Sequence, residues 1–208
     1  TTALAFSPYG RNLDKWNQNA RKNGFELLLQ APMEPFNFPQ NDPGPHTLLV
    51  DAPDLENQPR MNWLLSRLTN YIGVMPSMGG RFTSDETALG KLLAELNRRG
   101  LAFIDPSKSV RSVAKRVSGD VSTDELGRLP FLKVDIVLDV QPSRIAIERH
   151  LAQLEELART NSMAVGYADL KPSTIATISS WAKLSEQRGI TLVPLSTAIS
   201  LTQPGARN

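Results

Sequence analysis

Short apolar runs recur along this chain, separated by longer stretches whose apolar residues fall at helical spacing. Runs at 3–6, 25–29, 71–75, 101–104, 134–138, 163–166 and 190–193 read as strands, each bounded by glycine, proline or small polar residues. Between them, 12–22, 55–70, 83–98, 109–117, 142–159 and 172–188 read as helices. Thr83 and Glu86 have the spacing of a capping box, and Pro142 and Pro172 stand where first-turn prolines belong. Gly24, Gly100, Gly119 and Gly189 follow helical stretches as C-caps. Residues 121–129 are polar and read as loop.

Seven strands alternating with six helices predict an α/β fold with parallel strands and right-handed crossovers. A parallel (β/α) barrel, seven-stranded or incomplete, and an open doubly wound sheet both fit that alternation. Residues 1–208 read as a single domain, with no interdomain linker and no low-complexity tract. The longest irregular stretch, 31–45, carries five prolines, and a loop of that length inside a compact domain is commonly functional.

Composition narrows the chemistry. The apolar fraction of 40% is enough for a sizeable core. Cysteine is absent, which removes disulfides, thiolate zinc sites and cysteine nucleophiles. Lys and Arg number 23 against 21 Asp and Glu, and the cations are dispersed rather than set in a stripe with aromatics, so no nucleic-acid partner is expected. No apolar stretch approaches the roughly 20 residues of a transmembrane helix, and Thr1-Thr2, leading straight into an apolar run, does not read as a signal peptide.

In parallel architectures the functional side chains come from the C-terminal ends of strands. There the sequence places Gln30 and Glu34 after the second strand, Ser77, Met78, Gly79, Gly80 and Arg81 after the third, Asp105 and Ser107 after the fourth, Asp139 after the fifth, Tyr167 and Asp169 after the sixth, and Ser196 and Thr197 after the seventh. Such a rim, with several carboxylates, suits a polyhydroxylated ligand or a hard cation. Asp105, Asp139 and Asp169 each also read as turn or capping residues. Gly79 and Gly80 lack the spacing of a phosphate loop. The two histidines, His46 in the long loop and His150 on a helix, do not make a three-ligand zinc centre by their spacing.

Several segments together resemble the divergent polysaccharide deacetylase family: GFELLLQAPMEP at 24–35, PGPHTLL at 43–49, GVMPSMGGRFT at 73–83, GLAFID at 100–105, VLD at 137–139 and RGITLVP at 188–194. The resemblance implies a deformed barrel that acts on, or binds, acetylated cell-envelope carbohydrate. Active members of this kind hold a metal, usually zinc, that polarises the acetyl carbonyl and activates water. The family's Asp-Asp pair is expected on a strand upstream of Ala3, so the chain reads as lacking its N-terminal strand. Ser77 stands where the family commonly has histidine before Met-Gly, and Tyr167 where many members have histidine in Gly-His-Pro. On the resemblance, Asp105, Asp139 and Glu34 are the candidate catalytic residues, and Gln30, Ser77, Arg81 and Tyr167 the candidate substrate-binding residues. The chain itself offers no metal ligand set and no cofactor site. The expected partner is a polysaccharide or peptidoglycan-like glycan, in the periplasm or cell envelope. The alternative is a non-catalytic module of the envelope that binds glycan or protein.

Overall fold

A computed structural model describes residues 2–123 and 127–202. The chain divides into two compact units: one comprises the residues up to Leu132 together with those from Pro194 onward, the other Lys133–Val193.

The first unit is built on β1 (Ala3–Phe6), β2 (Glu26–Met33), β3 (Gly73–Met78) and β4 (Ala102–Asp105), with α1 (Leu13–Lys22), α2 (Asp54–Leu65) and α3 (Glu86–Arg98) as the crossovers. Neighbouring pairs among these four strands are parallel. After β4 come α4 (Ala114–Asp120), a small antiparallel pair of β5 (Ser122–Thr123) and β6 (Gly127–Arg128), and β7 (Phe131–Lys133). The sheet order is β1-β2-β3-β4-β7.

Residues one apart on a strand point to opposite faces. Leu29, Ala31 and Met33 of β2 therefore join Val74 and Phe103 on the helix-covered face. There α3 contributes Leu89, Leu92, Leu93 and Leu96, the helical spacing that gives one apolar stripe. Each such leucine contributes about 1.5–3 kcal/mol of burial. Gln30 lies on the other face of β2, paired with Met75, and Pro32 with Ser77 two residues further on.

The second unit holds β8 (Ile136–Val137) and β9 (Gly166–Tyr167), parallel to each other, with α5 (Arg144–Asn161) and α6 (Pro172–Ala182). Leu138, Ile147, Leu151 and Leu154 form its core, with Ile178 and Trp181 packed against them. In the first unit again, α7 (Leu195–Thr202) follows: its Ser196 N–H donates to the Glu26 carboxylate at 3.0 Å, and the Thr202 hydroxyl donates to the Phe131 carbonyl at 3.2 Å.

The alternation predicted from the sequence is present, but the seven-stranded sheet is not. The main sheet has five strands, and β8 and β9 pair separately. Residues 190–193 are apolar yet form no strand. An apolar run becomes a strand only when a neighbour supplies the ladder hydrogen bonds. Ser196 and Thr197 consequently belong to the first turn of α7 rather than to a strand end. The capping box is also displaced. Thr83 returns its hydroxyl to the Gly79 carbonyl at 2.8 Å, and Asp85 caps α3 by accepting from the Ala88 N–H at 2.8 Å. Pro142 precedes the Ser143 cap of α5, whereas Pro172 does open α6. Within the 121–129 stretch read as loop, Ser122–Thr123 form β5 and Gly127–Arg128 form β6.

Candidate functional site

β2 runs four residues beyond the sequence expectation, so Gln30 lies inside the strand and Glu34 is the first residue past its end. The loop end is fixed by backbone pairing. The Glu34 N–H donates to the Leu48 carbonyl at 2.9 Å, and the Glu34 carbonyl accepts from the N–H groups of Arg81 and Phe82, both at 3.1 Å. Glu34 is thereby held 4% exposed, and its side chain must be satisfied where it lies. One carboxylate oxygen accepts from the Val50 N–H at 2.7 Å, and the other from the Arg81 guanidinium. Arg81 gives its second nitrogen to Asp51 at 2.5 Å. These two carboxylates, Asp51 foremost, hold the guanidinium pKa above its ordinary value.

The trio borders a cleft of about 360 Å³ that Phe38, Leu49, Ala52, Pro53 and Glu56 complete. A larger cleft of about 530 Å³ lies between α2 and α3, floored by Leu48, Met61, Phe82 and Leu92 and spanned by the Lys91–Asp54 ion pair at 2.6 Å. That larger cleft contains none of the candidate residues read from the sequence.

Asp105 ends β4 as a turn maker. It accepts from the Ser107 N–H at 2.9 Å and from the Ser112 hydroxyl at 2.8 Å, and Ser107 takes a left-handed φ of 56°. Hydrogen-bonded this way, a short carboxylate shapes a loop. Ser77 is half-buried inside β3. The His46 ring lies flat on Trp63, ring centres 3.7 Å apart, and the His46 backbone N–H donates to the Tyr9 hydroxyl at 3.1 Å.

In the second unit Asp139 is 3% exposed. Its two oxygens both accept from the Asp169 N–H at 3.1 Å, and one accepts from the Thr174 hydroxyl at 3.1 Å. Asp139 thus joins the end of β8 to the loop before α6. The Tyr167 hydroxyl donates to Asp169 at 3.0 Å. Burial first, then that hydrogen bond and the nearby Asp169 and Asp139 charges, push the Tyr167 phenol pKa well up. Nδ1 of His150 lies 2.8 Å from the Leu138 carbonyl, so His150 stays at the helix–strand boundary.

The structure thus brings Glu34 to Arg81, and Asp139 to Tyr167 through Asp169. Asp105 has its own turn. Asp51 carries no mark in the pattern of residues, because it lies in a loop and its role depends on where Arg81 ends up. Thr174 and Ser112 were equally silent, being ordinary helix and loop hydroxyls until a buried carboxylate faces them.

A catalytic zinc requires three protein ligands and an open position. Among the described residues no three His, Asp or Glu side chains converge to hold a metal ion. The candidate acids are engaged by backbone N–H groups, hydroxyls and a guanidinium, so the described side chains do not fit a zinc centre.

The structure resembles the crystal structure of an uncharacterized protein from Agrobacterium tumefaciens, with TM-score 0.89 and 37% identity over 95% of this chain and 78% of that one. An uncharacterized protein from Haemophilus influenzae is 26% identical over 172 residues, which is 83% of this chain; the chain spans 58% of that relative's length. The model of one family matches residues 1–199, nearly the whole sequence. This chain belongs to the divergent polysaccharide deacetylase family.

Proposed function

We propose that this chain is a carbohydrate-binding member of its family with a degenerate metal site, holding acetylated cell-envelope glycan without cleaving the acetyl group. Family membership supports the polysaccharide partner and, with it, a periplasmic or envelope location. Among the described residues no helix is long and apolar enough to cross a membrane.

The observation that carries the non-catalytic part is the engagement of the candidate acids. A general base must bring an oxygen within hydrogen-bond reach of substrate or water. Glu34, Asp105 and Asp139 are each 5% exposed or less and turn both oxygens toward donors of the protein itself. Ser77 and Tyr167, at positions where the family uses imidazole, offer zinc a neutral or hard-to-ionise hydroxyl instead of a nitrogen donor.

The test is zinc titration by calorimetry beside acetate release from acetylated chitooligosaccharide and peptidoglycan. Glycan binding without zinc-dependent acetate release is expected. Micromolar zinc affinity together with zinc-dependent release would establish metal-dependent deacetylation instead, the reading that family membership by itself favours.

A further inference from the structure

Three loops that follow adjacent parallel strands converge at one point of the first unit. Phe36 lies just past β2, Gly80 just past β3, and Ser109 and Arg111 past β4. A Cβ on Gly80 would come within 3.1 Å of the Phe36 ring and 4.0 Å of the Ser109 hydroxyl oxygen. The Arg111 guanidinium carbon stands 5.3 Å from the centre of the Phe36 ring.

The backbone beneath is strained. Met78 and Gly79 both have left-handed φ, 59° and 81°, and a Cβ on Gly79 would lie 2.8 Å from that of Met33. Left-handed backbone at a non-glycine residue costs energy and gathers where a site needs a particular loop shape. Met78, in this turn, is 56% exposed, and Phe36, past the neighbouring strand, is 55% exposed. Each is a large apolar side chain facing water from the C-terminal edge of a parallel sheet, and such a side chain suits the C–H face of a pyranose.

The charges on this edge differ in what they can offer. Arg81 is consumed by Glu34 and Asp51. Among the described residues the Arg111 side chain forms no ion pair and no hydrogen bond; its partner is the Phe36 ring. A stacked guanidinium keeps its donors in a planar fork, which matches a carboxylate with two parallel bonds.

We propose that Phe36, Met78 and Arg111 form a subsite for a carboxylated sugar, the ring lying on the apolar side chains and its carboxylate on Arg111. This rests on the carbohydrate-binding reading above and names the class of glycan.

The probes are tetragalacturonate, a disaccharide carrying the lactyl carboxylate of muramic acid, and neutral chitotetraose, each titrated by calorimetry. At least one acidic probe should bind about tenfold or more tighter than chitotetraose, the scale of one charged hydrogen-bonded pair. Which one does so separates a uronate from a lactyl source. Arg111→Gln should bring the ratio close to one, Arg111→Lys should leave an intermediate ratio, and Phe36→Ala should weaken all three probes. Circular dichroism checks that each exposed-loop variant is folded, and Phe36→Leu serves if Phe36→Ala is not. Equal binding of neutral and acidic probes, or a ratio untouched by Arg111→Gln, overturns this subsite while leaving glycan binding intact. Failure of all three probes to bind overturns both.

Discussion

Glu34 and Asp139 are both almost wholly buried, yet they are satisfied by different means. Glu34 in the first unit takes one backbone N–H and a guanidinium that is itself shared with Asp51. Asp139 in the second unit takes one backbone N–H and one hydroxyl, with no cation among these partners. The surroundings differ too. The first unit packs three long crossover helices on a five-stranded sheet, while the second rests a two-residue strand pair on two helices. The first can anchor a charged pair on a stiff frame, and the second uses its carboxylate to tie short elements together.

The largest effects should come from the two cores. Leu93→Ala removes a fully buried side chain from the middle of α3 and should cost about 2–5 kcal/mol in urea unfolding. Ile147→Ala should fall toward the lower end of that range, since its smaller cluster includes partly buried neighbours that can close in. A larger loss for Ile147→Ala than for Leu93→Ala would break the contrast.

Next come the carboxylates. Glu34→Ala and Asp139→Ala each strand a buried donor and should cost about 1–3 kcal/mol. They should separate with salt. The Glu34 penalty should shrink as ionic strength rises, because Arg81 is half exposed and its attraction is screened. The Asp139 penalty should stay level. Parallel salt series of urea midpoints decide this, and equal salt slopes would remove the distinction.

The tyrosines give a finer test. Tyr71, half-buried with its hydroxyl on the Leu65 carbonyl at 2.9 Å, is pushed up to about 12 by its burial, which the Arg99 charge partly offsets. Tyr167 is raised by burial and by its acidic neighbours. Both phenols keep their proton better folded than unfolded. Their contribution to stability is therefore level below pH about 10 and declines as pH rises above it. Absorbance titration should find that Asp169→Asn lowers the Tyr167 pKa and leaves Tyr71 unmoved. A Tyr167 unaffected by that change would show that the Asp169 charge has no part in setting its value. The smallest effect should be Lys91→Ala, which deletes an exposed ion pair with Asp54 and should cost less than about 1 kcal/mol.

Much of this was legible in the order of residues. The first four strands and three helices follow from apolar runs and helical stripes, because their packing partners are consecutive in the chain. Gly24, Gly100 and Gly189 do take the left-handed φ expected after a helix. Glu34 stood out because prolines on either side of Met33-Glu34 stiffen its loop. What could not be read depends on contacts distant in sequence. Asp51 matters only once Arg81 arrives beside it, and the fate of 190–193 depends on whether a neighbouring strand is there to pair with it. Asp105 and Asp139 fit turn and tie roles as well as chemical ones, and only their donors decide between them.

The α7 contacts also have a consequence in time. The Ser196–Glu26 bond links residues 170 apart in sequence, and Thr202 adds a tie to Phe131. The first unit therefore draws on chain made before and after all of Lys133–Val193. Contacts of such separation form late, since the loop entropy must be met before they give anything back. On the ribosome β1 to β4 can begin to assemble early, but the start of β2 lacks this tether until α7 has emerged. A stall in synthesis anywhere within the second unit would leave a sheet already folded and still unfastened at that end.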